Sequence, residues 1–145
     1  MIEVKIINES NNDTPALATK GSAGVDVRAF IPSPIILKPL ERKLIPTGLK
    51  VEIPLGYEIQ IRPRSGLAYK NGITVLNSPG TIDSDYRGEI GILLINLSSE
   101  SFEIISGERI AQMVLAKHEL PHFVKQNTLE SSERGEGGFG STGKK

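Results

Sequence analysis

The chain has 145 residues, and its 17 Lys and Arg are balanced by 17 Asp and Glu, so the formal net charge is zero. That balance argues against a general nucleic-acid binder, which carries a basic excess, while leaving room for a local cationic pocket. There is no cysteine, which excludes disulfides, thiolate metal sites and cysteine nucleophiles.

The length is one domain's worth, and no apolar run approaches the roughly 18 residues that span a bilayer. Met1 to Glu9 carries acidic residues and no signal-peptide pattern, so a soluble, cytoplasmic protein is expected. Eighteen isoleucines and 7 valines stand against 7 alanines. Branched side chains suit pleated strands and alanine suits helices. With 15 Gly and 9 Pro as turn formers, many short strands in a sandwich or barrel are expected.

In chain order, Ile2, Val4 and Ile6 alternate with Glu3 and Lys5, Val25, Val27 and Ala29 with Asp26 and Arg28, and Tyr57, Ile59 and Ile61 with Glu58, Gln60 and Arg62. Each run reads as a half-buried strand. A short helix fits between turn signals at Gly66 to Asn71. Asn77-Ser78-Pro79-Gly80 is a turn signal, and a hairpin is the natural shape for Asn77 to Gly91. Glu89 to Leu97 is apolar on both faces, so it is either central in a two-layer core or pressed against another subunit. Glu108 to Leu120 allows a helix by propensity, and also a strand with Ile110, Gln112, Val114 and Ala116 on one face. Ser131 to Lys145 holds five glycines and cannot bury a core.

Two motifs fail on context. His118-Glu119-Leu120-Pro121-His122 matches the H-E-x-x-H zinc pattern, but Pro121 breaks the helix that would align both imidazoles. Gly138 to Lys144 matches a Walker A stem, yet Lys145 stands where Ser or Thr should be and no helix can follow. Other residues keep two readings. Asp83 and Asp85 serve as turn carboxylates or as acid–base groups. Arg64, with Ser65 and Gly66, forms a surface turn or a phosphate fork. Gln112 meets protein groups or a ligand. With no cysteine, both histidines in one stretch and no G-x-S-x-G elbow, a hydrolase of this sequence would use water as nucleophile and a carboxylate as base.

Five segments in order resemble the motifs of the trimeric deoxyuridine triphosphate pyrophosphatase (dUTPase) family. They are Ala23-Gly24-Val25-Asp26-Val27-Arg28-Ala29; Pro63-Arg64-Ser65-Gly66-Leu67-Ala68; Gly80 to Glu89; Gly107-Glu108-Arg109-Ile110-Ala111-Gln112-Met113-Val114; and Arg134 to Gly143. The resemblance runs from residue 23 to 143. It implies an all-β, jelly-roll-like barrel or sandwich over residues 1–130, with a flexible glycine-rich arm over 131–145. It implies a homotrimer with active sites shared between subunits, and no nucleic-acid or membrane partner.

The implied reaction is dUTP plus water giving dUMP and pyrophosphate with Mg²⁺, which limits uracil incorporation into DNA and supplies dUMP for thymidylate synthesis. Carried over, Asp83 activates the water that attacks the α-phosphorus. Asn77, backbone groups at Thr81, Ile82 and Asp83, and Gly91 read the uracil edge, and Tyr86 packs under the sugar. Arg64, Ser65, Gly66 and Gln112 hold phosphates, Arg134, Gly140, Ser141 and Thr142 grip the γ end, and Phe139 stacks on uracil. Mg²⁺ is held by the substrate phosphates, with Asp26 reaching its water shell or serving subunit contacts, and Asp85 doing the same or holding the turn. The rivals are a dCTP deaminase of the same fold and a non-catalytic nucleotide-binding module.

Overall fold

The computed structural model describes residues 1–139. Eleven strands and one short helix are formed there: β1 (Lys5–Asn8), β2 (Gly24–Arg28), β3 (Ile35–Leu37), β4 (Arg42–Pro46), β5 (Leu49–Glu52), β6 (Tyr57–Arg62), α1 (Ser65–Asn71), β7 (Ile73–Val75), β8 (Gly80–Ile82), β9 (Gly91–Asn96), β10 (Phe102–Ile104) and β11 (Arg109–Lys117). All pairings are antiparallel. The sheets run β2-β11-β6-β8 and β4-β9-β7, with two-stranded β1-β5 and β10-β3. No helix of the described residues is long and apolar enough to cross a membrane.

The expected alternation is realised in two of the three runs; in the first, the strand begins only at Lys5, and Ile2 and Ile6 are exposed because β1 pairs with β5 alone, in a two-stranded sheet. Val27 and Ala29 of the β2 segment and Ile59 and Ile61 of β6 enter one core with Ile45, Ile92, Leu94 and Ile104. Burying each Val, Ile or Leu side chain stabilises the fold by roughly 1.5–3 kcal/mol. β9 is the centre of its sheet, with Ile90, Ile92 and Leu94 facing the core and Leu93 and Ile95 half-buried on the other side. Its last residue, Asn96, is fully buried. Its amide donates to the Leu37 and Glu100 carbonyls at 2.8 and 2.7 Å and accepts from Ser98 N–H at 2.9 Å. A buried amide is tolerated when its hydrogen bonds are made in this way.

Helix α1 is the short helix expected, and Gly72 ends it at φ 65 with its N–H on the Ala68 and Leu67 carbonyls. That left-handed conformation is open to glycine at little cost.

Two segments depart from expectation. Within Glu108 to Leu120, Arg109–Lys117 is a strand, but the register shifts between Arg109 and Ala111. An extra residue breaks simple alternation, so Ile110 and Ala111 are both buried, while Gln112 stays half-buried on the face away from Ala111 and Met113. Asn77 to Gly91 is no simple hairpin. β7 does pair with β9, but the connection detours through β8, which pairs with β6 instead. Residues 83–86 then form a turn, closed by Tyr86 N–H on the Asp83 carbonyl at 3.2 Å, so Asp83 and Asp85 do not share one extended face.

Candidate active site

The detour of residues 76–90 creates a cleft. Thr81, Ile82, Asp83, Tyr86, Glu89 and Gly91 line it together with Leu44 and Pro46 of β4, and its volume is about 310 Å³. Strand β8 carries Thr81 and Ile82 to the mouth, and the turn that follows exposes the Asp83 carboxylate. Among the described residues that carboxylate makes no ion pair. Such an acceptor is free to take a proton from water.

The Tyr86 ring folds back over Gly88, where any Cβ would collide with the ring. The Tyr86 hydroxyl donates to the Glu89 carbonyl at 2.9 Å. Gly91 serves the opposite wall, since a Cβ there would stand 2.8 Å from Leu44 Cδ1. Asn77 lies beside β8, its Nδ2 3.2 Å from where a Gly80 Cβ would be.

A second cluster sits at the other end of β6. Asp26 of β2 receives Arg64 Nε on Oδ1 at 2.9 Å and Arg109 on Oδ2 at 3.0 Å. Arg64 also donates to the Arg109 carbonyl at 3.2 Å. The carboxylate therefore fixes a planar guanidinium at the entrance of α1, where Ser65 and Gly66 present backbone N–H groups without intrahelical partners. Gln112, opposite Arg62 and Asp26 in register, donates to the Pro63 carbonyl at 3.0 Å. Its carbonyl end lies against Gly24, whose missing Cβ makes the space. A groove of about 500 Å³ lined by Arg28, Arg64 and Arg109 adjoins this cluster. Forked cations on rigid strands suit phosphate oxygens.

The single chain thus brings Thr81, Ile82, Asp83, Tyr86 and Gly91 together, and Asp26, Arg64 and Gln112 together, yet the two grooves share no lining residue. Arg134 and Phe139 line neither. Arg134 Nε donates to the Gly137 carbonyl at 2.7 Å within a local turn, and Phe139 is fully exposed. Gly140, Ser141 and Thr142 lie outside the described residues, as does most of the Gly138 to Lys144 stretch. Residues 118–122 leave β11 as chain without helix, so His118 and His122 are not aligned on one helical face. Among the described residues no group of three or more His, Asp or Glu side chains could hold a metal ion.

Arg109, Glu89 and Thr47 are not marked as individual site residues by any motif role in the sequence. Arg109 was discoverable as a cation beside Gln112 on one strand. Glu89 and Thr47 meet only in three dimensions, with Thr47 1% exposed and its hydroxyl donating to the Ile90 carbonyl at 2.6 Å.

A jelly-roll-like all-β domain that carries a carboxylate-edged cleft and a separate guanidinium–amide cradle has the parts of a nucleotide hydrolase. The dUTPase family model matches residues 10–143. The deoxyuridine 5'-triphosphate nucleotidohydrolase of Cytophaga hutchinsonii is 62% identical over 141 residues, covering 97% of this chain and 92% of its own length. The enzyme of the same name from Fusobacterium nucleatum is 59% identical over 143 residues, covering 99% and 98%.

Among solved structures, a mutant dUTPase of Staphylococcus bacteriophage 80alpha with dUpNHpp superposes with TM-score 0.87 at 29% identity, covering 97% of this chain and 98% of that one. A dUTPase mutant of phage phi11, described for its structural Mg(II) ion, shares the fold with TM-score 0.80 at 23% identity, covering 89% and 99%. This chain belongs to the dUTPase family.

Proposed function

We propose that this chain is a soluble, cytoplasmic dUTP diphosphatase, converting dUTP and water to dUMP and pyrophosphate, so limiting uracil in DNA and supplying dUMP for thymidylate synthesis. The observation that carries the reading is the placement of Asp83, a carboxylate without an ion pair among the described residues, in the lining of a cleft that Tyr86 also lines. In a chain without cysteine, Asp83 is the candidate base. It takes a proton from water as the water oxygen attacks the α-phosphorus in line, and the pyrophosphate leaves on the far side. Base catalysis of this kind is worth roughly 10²–10⁴-fold.

The remaining roles follow from the two clusters. Uracil enters the cleft between β8 and Gly91, read by Asn77 and by main-chain groups at Thr81, Ile82 and Asp83. The Tyr86 ring lies under the sugar, where a 2′-hydroxyl would collide. Arg64, the Ser65 and Gly66 N–H groups and Gln112 hold phosphate oxygens. Both oxygens of Asp26 accept from arginines, but each keeps a lone pair that can accept from water. The substrate's phosphates would hold a magnesium ion, with Asp26 accepting from its water shell. Mg²⁺ prefers such phosphate and water ligands, and when bound it offsets triphosphate charge.

The separation of the two grooves within one chain favours an assembly in which one subunit's Asp83 cleft meets another's Arg64 cradle, and three copies close the ring. Residues 131–145 act as an arm closing over the substrate, with Arg134, Gly140, Ser141 and Thr142 toward the γ-phosphate and Phe139 on the base. Stacking of that kind is worth roughly 1–3 kcal/mol.

The test is pyrophosphate release from dUTP, dCTP, dTTP and UTP, with and without Mg²⁺. Release from dUTP alone, stimulated by Mg²⁺, is expected. Binding of dUTP without release from any substrate overturns the proposal. In the same assay, a chain ending at Glu133 is expected to stay folded and oligomeric while losing about 10²-fold in kcat/KM, as when positioning groups are removed. Full activity of that truncation refutes the closing arm.

A further inference from the structure

The Tyr86 cleft is built by a loop, and a loop holds a ring in place only if its own feet are held. The foot of this loop is Glu89. Its Oε1 accepts from two main-chain donors of the β4–β5 turn, Thr47 N–H at 3.1 Å and Gly48 N–H at 2.8 Å. Gly48 sits at φ 69, and a Cβ there would press on Ser10 N at 2.9 Å. The turn therefore adopts a conformation suited to glycine, with two N–H groups aimed at one carboxylate. The next residue is tied as well. Ile90 N–H donates to the Leu49 carbonyl at 2.8 Å and the Thr47 hydroxyl to the Ile90 carbonyl at 2.6 Å. From this anchored point, the Glu89 carbonyl receives the Tyr86 hydroxyl at 2.9 Å. Glu89 thus holds the loop with its side chain and the tyrosine with its main chain.

We propose that Glu89 is a positioning residue for sugar selectivity: its carboxylate latches the loop to the β4–β5 turn, so that the Tyr86 ring is held rigidly enough to exclude a ribose. The inference rests on the reading of Tyr86 as the floor under the sugar. A hydroxyl-bearing competitor is rejected only where the wall cannot yield, and without the latch the wall can move. Glu89 need not touch substrate for this, since its Oε1 is committed to the turn. Glu89→Gln can keep an oxygen acceptor at the same point, whereas Glu89→Ala leaves both N–H groups without theirs.

The experiment has two readouts. The first is the ratio of kcat/KM for dUTP to that for UTP. Glu89→Ala is expected to lower this ratio by about tenfold, and Glu89→Gln to restore most of it. A merely structural weakening would lower both rates together and leave the ratio in place. The second readout is independent of turnover. The chain has three tyrosines, and in protein labelled with 3-fluorotyrosine the ¹⁹F resonance assigned to Tyr86 through Tyr86→Phe is expected to shift or broaden in Glu89→Ala. Those of Tyr57 and Tyr69 stay in place.

Should Glu89→Ala not fold, Glu89→Asp, one methylene shorter and unable to reach both N–H groups, takes its place with the same expectation. An unmoved Tyr86 resonance overturns the latch. A displaced Tyr86 with an unchanged dUTP:UTP ratio, or a wild-type enzyme that does not distinguish the two, overturns the reading of Tyr86 as the sugar floor.

Discussion

The Asp83 cleft and the Arg64 cradle are held by opposite means. The cleft belongs to a connecting segment, and hydrogen bonds onto main-chain carbonyls set its shape: Tyr86 N–H on Asp83, the Tyr86 hydroxyl on Glu89, and the Arg87 guanidinium on Ser84 and Tyr86. The cradle belongs to β2, β11 and the end of β6, strands whose register is fixed by the core, and its shape is set by side-chain ion pairs around Asp26. A loop can select among substrates because it can fit or fail to fit them. A strand-borne cradle can bind a feature common to every nucleoside triphosphate. Damage to the first should alter chemistry and selectivity, and damage to the second should alter affinity.

The largest effect is expected from Asp83→Asn. The amide keeps the volume and loses the proposed base, so turnover of dUTP should fall by about 10²–10⁴-fold while nucleotide binding changes little. Single-turnover kinetics beside equilibrium binding separates the two. Loss of binding with intact chemistry would place Asp83 with the affinity cluster and dissolve the contrast between the regions.

That contrast was only partly legible in the sequence. The strands around Val25–Ala29 and Tyr57–Ile61 were, because period-two alternation follows directly from one buried face. Helix α1 was, at Gly66 to Asn71, because turn signals flank it. The bulge in β11 was not, since one extra residue carries no compositional mark, and reading Ile110 in phase with Gln112 followed from its absence. The detour of β8 to β6 was hidden because pairing between distant strands depends on the whole sheet.

The candidate site rests on motif resemblance. By turn chemistry alone, Asp83 reads as readily as a capping residue. The anchoring of Glu89 on Thr47 and Gly48 joins residues some forty positions apart, which no local pattern encodes.

A smaller effect sharpens the affinity side. Gly24→Ala places a methyl on the carbonyl end of Gln112, which is the free end of a long side chain and can swing away. The fold should tolerate this, and Gln112 should lose its bond to the Pro63 carbonyl and its place in the cradle. One such hydrogen bond is worth about 0.5–1.5 kcal/mol, or roughly 2- to 12-fold. KM for dUTP should rise by that factor with kcat and the dUTP:UTP ratio unchanged. A selective loss for one sugar would show that the two regions are not separable.

The smallest effect lies outside both regions and sets the background against which they are measured. Lys5 and Glu52 face one another in register across β1 and β5, with Nζ 2.7 Å from Oε1. The hydrogen bond from Lys5 and its charge hold the Glu52 carboxyl below its ordinary value of 4.5. The same bond and charge raise Lys5 above 10.5. A lowered carboxylate value means that the pair's contribution is fully present above about 4.5 and is lost as pH falls through the lowered value. A raised lysine value means that it is fully present below 10.5 and lost as pH rises through the raised value.

Both groups are solvent-exposed, and exposed pairs contribute little. Glu52→Gln should therefore lower the melting temperature only slightly between pH 5 and 9, by a constant amount, and converge on wild type in acid. Its kcat, KM and dUTP:UTP ratio should match wild type throughout. A change in selectivity from this edge pair would mean that the cleft responds to general loosening of the fold, and the specific effect expected of Glu89 would lose its meaning.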